Sequence, residues 1–189
     1  MGEGTARALI LDRDGTVNED FGYVCEPERF VFKEGIFDLC RAAQSAGFKI
    51  IVISNQSGVS RGYYSEAEME ACNARMCAAF RDAGVEVSDV ICCTSQDDAD
   101  PRRKPNPGMF REAIARHGLE PSRCVALGDS ERDAVAARRA GVGLVLRLGE
   151  HDGAETAADA TVHALRDAIA FFSADAAASA TGKETSRRL

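Results

Sequence analysis

The sequence predicts an α/β fold, a Rossmann-like parallel sheet with helices on both faces and no separate cap domain. Three observations predict it. Short apolar runs alternate along the chain with stretches of helical character. The runs are apolar at nearly every position, as expected when both faces of a parallel sheet are covered. Charged, hydroxyl and glycine residues gather just after them, where the carboxyl ends of parallel strands build sites.

The first strand is expected at Arg7–Asp12 (RALILD), an apolar run that delivers charged residues at its end. Comparable runs follow at Phe48–Ser54, Val87–Cys93, Cys124–Gly128 and Val142–Leu146. Between and after them, helices are expected over Gly35–Ala46, Ser65–Ala83, Pro107–His117, Glu131–Ala140 and Val162–Phe172. Ser65 with Glu68 three residues on has the form of a capping box, and Pro107 suits a first helical turn. The irregular segments Thr16–Lys33 and Thr94–Asn106 are long for connections in a compact domain, which makes both candidates for substrate contact. The intervals from Asp14 to Ser54 and from Ser54 to Lys104 are each largely consumed by a helix and a strand, leaving no room for an inserted cap. Beyond Phe172 the chain turns small and polar (SADAAASATGKETSRRL), so one domain over residues 1–173 and a flexible tail over 174–189 are expected.

The length of 189 residues suits one domain. No apolar run approaches the roughly 20 residues needed to span a bilayer, so no membrane partner is expected. A net charge of −7 with no Lys/Arg-rich run argues against a nucleic-acid partner held by phosphate contacts. The seven cysteines form an odd set without a CxxC pair and read as buried free thiols. The first residues lack the apolar stretch of a signal peptide, so the expected location is the cytoplasm; a monomer is also expected.

The chemistry gathers at four places. Asp12-Arg13-Asp14-Gly15-Thr16 follows the first strand, Ser54-Asn55-Gln56 ends the second, Arg103-Lys104-Pro105 precedes a helix, and Gly128-Asp129 with Asp133 follows the fourth strand. Each has an ordinary reading alone: an acidic turn, a turn hydroxyl, a solvated lysine, a helix cap. In a parallel sheet all four meet at one edge, which assembles acids, a hydroxyl and a lysine in one pocket.

DRDGT, SNQ, the RKP lysine and GDSERD resemble the four motifs of haloacid dehalogenase superfamily phosphatases, over residues 12 to 133. The longer strings DRDGTVNEDFGYV, SNQSGVSRG and RRKPNPGMF are similar to the D-glycero-D-manno-heptose 1,7-bisphosphate phosphatases and their histidinol-phosphate phosphatase relatives. A carboxylate can attack phosphorus and divide hydrolysis into two easier displacements, so Asp12 is the expected nucleophile. The resemblance makes Asp14 the acid and base. It also implies Mg²⁺ on Asp12, the Asp14 carbonyl and Asp129, with Asp133 acting through water. Ser54 and Lys104 would hold the transferring phosphoryl oxygens. Substrate contact is implied for Asp20, Phe21, Gly22, Tyr23, Asn55, Gln56, Ser57 and Arg103, and Arg61 is a further candidate at the same edge. Two departures stand out: the CxH and CxC zinc loop of many heptose enzymes is missing around Cys92 and Cys93, so no structural zinc is expected, and Ser130 stands where the family usually carries a basic residue on the substrate side.

The expected function is removal of the C7 phosphate from heptose 1,7-bisphosphate through an aspartyl phosphate, on the way to nucleotide-activated heptose for lipopolysaccharide or capsule. Alternatives are histidinol phosphate or another small phosphomonoester, the 3′-phosphate of a nucleic-acid end, and a non-catalytic phosphosugar-binding protein. Against the last stand the intact Asp12, Asp14, Lys104 and Asp129.

Overall fold

The computed structural model describes residues 6–26, 29–150 and 155–172. Six strands form one sheet in the order β3-β2-β1-β4-β5-β6, and every neighbouring pair is parallel. The strands are β1 (Ala8–Leu11), β2 (Lys49–Asn55), β3 (Val87–Cys93), β4 (Val125–Gly128), β5 (Leu144–Leu148) and β6 (Ala160–Val162). The helices are α1 (Ile36–Ser45), α2 (Glu66–Asp82), α3 (Gly108–His117), α4 (Glu131–Arg139) and α5 (165–172).

The central strands β1 and β2 divide their apolar residues between two cores. Leu9 and Leu11 of β1 and Ile50 and Val52 of β2 pack with residues of α1, α2 and α5, including Leu39, Phe80 and Phe172. The alternate residues Ala8, Ile10, Ile51 and Ile53 pack with Met109 and Phe110 of α3 and Ala134 and Ala137 of α4. Because successive side chains point to opposite faces, a strand covered on both sides needs apolar residues at every position. Between β1 and β2 the described residues form the 12–35 segment and α1, and between β2 and β3 they form α2 and its leading turn, with no inserted domain in either interval.

Two expected elements differ. Val162 opens no helix: residues 160–162 form the edge strand β6, pairing Leu148 with Val162, and α5 starts only at residue 165. The strand expected at Val142–Leu146 lies two residues later, because Gly141 and Gly143 close the turn after α4, with Gly143 donating to the Pro121 carbonyl. The Ser65–Glu68 capping box is formed at α2, while Pro107 is the residue before the first turn of α3. All seven cysteines are free thiols, five of them buried. Among the described residues no helix is long and apolar enough to cross a membrane. The expected tail, 174–189, lies outside the described residues.

Candidate active site

The register of the sheet brings the motif residues together. Leu11 of β1 pairs with Leu127 of β4 and with Val52 of β2, so Asp12 emerges beside Gly128 on one flank and Ile53 on the other. The Asp12 amide donates to the Leu127 carbonyl at 3.0 Å, continuing the ladder to the last residue before the turn. Asp129, Asp133 and Ser54 are therefore next to Asp12, and Lys104 reaches it from the loop before α3.

Lys104 is 3% exposed, and its ammonium lies 2.5 Å from both Asp12 Oδ1 and Asp133 Oδ1. It also donates to the Ile53 carbonyl at 3.3 Å. Asn55 fixes the backbone of that lysine, donating to its carbonyl at 3.1 Å and accepting from its amide at 3.0 Å. Asn55 thus positions Lys104.

Carboxylate oxygens of Asp12, Asp129 and Asp133 lie within 4.8 Å of one another. Burial pushes the Asp12 carboxyl well up, and Asp133 and Asp129 add to this against the pull of Lys104. Burial, reinforced by Asp133, pushes Asp129 up to about 6. Burial would lower the lysine, yet Asp12 and Asp133 more than offset it and keep the ammonium charged. Three carboxyl groups around one ammonium make an oxygen-rich acidic pocket, which suits a hard divalent cation. The turn leaves space for it. Gly15 has φ +86°, and a Cβ there would stand 1.9 Å from Asp129 Oδ2.

Asp14 is held by a separate set of partners. Its side chain accepts from Asn18 Nδ2 at 3.0 Å on Oδ1 and from Gln56 Nε2 at 2.7 Å on Oδ2, and the Arg13 guanidinium forks onto both oxygens. It stands outside the three-carboxylate cluster, consistent with a metal contact through its backbone carbonyl only. Arg13 is fully buried and also donates to Asn73 Oδ1 at 3.1 Å and the Val24 carbonyl at 2.6 Å, tying the 16–33 segment to α2. Ser54 is buried and its Oγ accepts from Gln56 Nε2 at 2.7 Å, which leaves its own proton free to donate.

A cleft of about 270 Å³ on the Asp14 side of the site is lined by Asp14, Asp20, Gly22, Tyr23, Asn55, Gln56, Ser57 and Tyr64. Most of the expected substrate contacts are here. Phe21, Arg61, Arg103 and Ser130 do not line it. Phe21 is 56% exposed, and the Arg61 amide closes a turn on the Ser57 carbonyl. The Ser130 hydroxyl is engaged at 2.5 Å by Asp133, which also accepts from the Ser130 amide at 3.1 Å, so this serine caps α4. Arg103 is bound to Asp98 at 3.0 Å and to the Ser95 carbonyl at 3.0 Å, and Asn106 holds the carbonyls of Asp98 and Asp100. The 94–106 loop, a candidate for substrate contact, is thus organised around Arg103 and Asn106 by its own polar groups.

Sequence reasoning missed Arg13, Asn18, Asn73 and Tyr64. Arg13 carried a signal, a cation flanked by two acids at the end of a fully buried strand. For Asn73, on the buried face of α2, and Tyr64, no local pattern pointed to the site.

A family model described as haloacid dehalogenase-like hydrolase matches residues 6–141. The D-glycero-alpha-D-manno-heptose-1,7-bisphosphate 7-phosphatase of Burkholderia mallei is 40% identical over 176 residues, 88% of this chain and 93% of that protein. The D-glycero-beta-D-manno-heptose-1,7-bisphosphate 7-phosphatase of Yersinia pestis is 34% identical, over 85% of this chain and 92% of that protein. Among solved structures, the D,D-heptose 1,7-bisphosphate phosphatase of B. bronchiseptica, complexed with magnesium and phosphate, matches with a TM-score of 0.77 at 26% identity, covering 89% of this chain and 99% of that one. The paired acids after β1, the lysine that bridges Asp12 and Asp133, and these likenesses agree: the chain belongs to the haloacid dehalogenase-like hydrolase family.

Proposed function

We propose that the protein is a Mg²⁺-dependent phosphatase that removes the C7 phosphate of D-glycero-D-manno-heptose 1,7-bisphosphate through an aspartyl phosphate on Asp12. The observation that carries this reading is the buried Asp12–Lys104–Asp133 bridge beside Asp129, at the carboxyl ends of β1 and β4. Lys104 fixes the Asp12 carboxylate and presents a charge to the incoming phosphoryl oxygens, while the Ser54 proton is free to hydrogen-bond to one of them.

Asp12 attacks phosphorus as the bond to the sugar oxygen breaks, and Asp14 gives that oxygen its proton. Asp14 then takes a proton from water as the water attacks phosphorus and displaces the Asp12 carboxylate, which restores Asp12 and releases phosphate. A Mg²⁺ held by Asp12, Asp129 and the Asp14 carbonyl, with Asp133 through water, would neutralise the crowded oxygens when bound.

Relatives are named for both anomers of the heptose, so both belong in the test. Phosphate release should be measured with the α- and β-heptose 1,7-bisphosphates, histidinol phosphate and fructose 1,6-bisphosphate, with Mg²⁺ present. We expect one heptose anomer to lead the non-heptose substrates by about a hundredfold in kcat/KM, with the C1 phosphate retained. Equal or faster turnover of histidinol phosphate would replace the substrate assignment. A monomer in the cytoplasm, feeding nucleotide-activated heptose to lipopolysaccharide or capsule assembly, completes the proposal, and light scattering on the purified protein tests its oligomeric part.

A further inference from the structure

We infer that Tyr64 is a positioning residue that acts through the Gln56 side-chain amide to hold Asp14 in place. The inference rests on the phosphatase reading above, in which Asp14 moves the proton. Tyr64 precedes α2 and has no place among the motif residues. Its hydroxyl donates to Gln56 Oε1 at 2.6 Å. The amide nitrogen of Gln56 therefore faces the opposite way, donating at 2.7 Å to Asp14 Oδ2 and at 2.7 Å to Ser54 Oγ.

A carboxamide has nearly the same shape when its oxygen and nitrogen are exchanged, so only its partners fix its orientation. The flipped amide would set Oε1 against the Asp14 carboxylate, two acceptors with no proton between them. Gln56 is 2% exposed, so bulk water offers little compensation for that mismatch. The Tyr64 phenol is what makes the flipped form unfavourable on the other side. It supplies a hydrogen bond to Oε1, and burial pushes the pKa of the phenol up to about 12, so it remains a donor across the working pH range.

The chain has made room for this ring. A Cβ on Gly58 would lie 2.3 Å from the Tyr64 ring, so the phenol can seat against the turn after β2 only because residue 58 is glycine. On the Asp14 side, Asn18 holds Oδ1 and Arg13 spans both oxygens, which leaves Gln56 as the neutral donor on Oδ2. Orientation of an acid and base group is worth a large part of its contribution, which is commonly about a hundredfold or more.

The test compares Tyr64→Phe with wild type on two kinds of phosphate ester. A sugar phosphate has a basic leaving oxygen that needs the Asp14 proton, whereas p-nitrophenol leaves without one. We expect Tyr64→Phe to lower kcat on the sugar phosphate about tenfold with KM changed less than about twofold, while single-turnover release of p-nitrophenol from p-nitrophenyl phosphate changes less than about twofold. In the Gln56→Ala background the same substitution should change the ratio of the two rates no further, because the connection it breaks is already gone. No change on either ester, an equal loss on both, or an undiminished effect of Tyr64→Phe in the Gln56→Ala background would overturn the inference. If wild type prefers histidinol phosphate or fructose 1,6-bisphosphate to the heptose esters, the substrate assignment fails by itself, and the comparison is made with the ester it accepts.

Discussion

Asp12 and Lys104 are separated by 92 positions in sequence, yet their charged atoms stand 2.5 Å apart in a pocket nearly closed to water. Either alone reads as an acidic turn or a solvated lysine, and they were legible together because the strand ends of a parallel sheet converge on one edge. Asn18, Asn73 and Tyr64 were not legible, since their roles arise from partners fixed only by the folded loops. Replacing Asp12 by Asn keeps the shape while removing the nucleophile, and turnover should fall by at least about a thousandfold with the thermal unfolding profile still cooperative. Lys104→Met has a different signature. It leaves the Asp12 and Asp133 carboxylates facing each other without their cation, which should cost roughly 3–5 kcal/mol in urea unfolding besides abolishing activity. Gly15→Ala tests the turn itself: its methyl group would meet Asp129 Oδ2, and φ +86° strains any L side chain. Activity should drop at least about tenfold with a higher Mg²⁺ requirement in an activity titration, whereas retained wild-type Mg²⁺ dependence would mean the turn relaxes without moving Asp129.

At the scale of the elements, the strands that carry the motifs were readable because each has apolar residues on both faces, and β3 lies where the sequence puts it. The short edge strand β6 was not readable. Three residues, Ala-Thr-Val, run directly into the α5 pattern, and only pairing with β5 defines them as a strand. Outside the site, β3 and α3 are joined by Asp89, which accepts from Arg116 at 2.8 Å and meets His117 Nε2 at 2.9 Å. Burial alone would raise the Asp89 carboxyl, but the hydrogen bonds from His117 and Arg116 hold it below its ordinary value. A carboxylate depressed in this way contributes stability above its unfolded pKa of about 4 and loses it as pH falls through the folded value. Asp89→Asn should therefore lower the melting temperature at pH 7 by a few degrees, and the difference from wild type should shrink steadily below about pH 4. A difference independent of pH would mean that the side chain acts by shape and neutral hydrogen bonds.

For the whole molecule, the acidic balance and the metal requirement meet at one edge of the sheet, and the composition alone could not separate them. The net charge of −7 belongs to the whole chain, whereas the carboxylates of Asp12, Asp129 and Asp133 are gathered in one place around Lys104. Such a pocket should bind Mg²⁺ in the folded chain and not in the unfolded one, so Mg²⁺ should raise the melting temperature along a saturating curve, with about 2.7 kcal/mol gained at a hundredfold excess over its Kd. Asp129→Ala should flatten that curve. Zinc is expected to be different. Cys92 and Cys93 are adjacent on β3, so their side chains point to opposite faces, and the 94–103 segment that follows contains neither His nor Cys. A closed tetrahedral site needs about four nitrogen or sulfur donors, and this loop instead closes on itself through Arg103 and Asn106. Elemental analysis of protein purified without added metal should return well under about one zinc per chain, and a zinc chelator should leave the melting temperature unchanged. Stoichiometric zinc would require donors from elsewhere in the chain and would overturn the account of the 94–106 loop as held by its own hydrogen bonds.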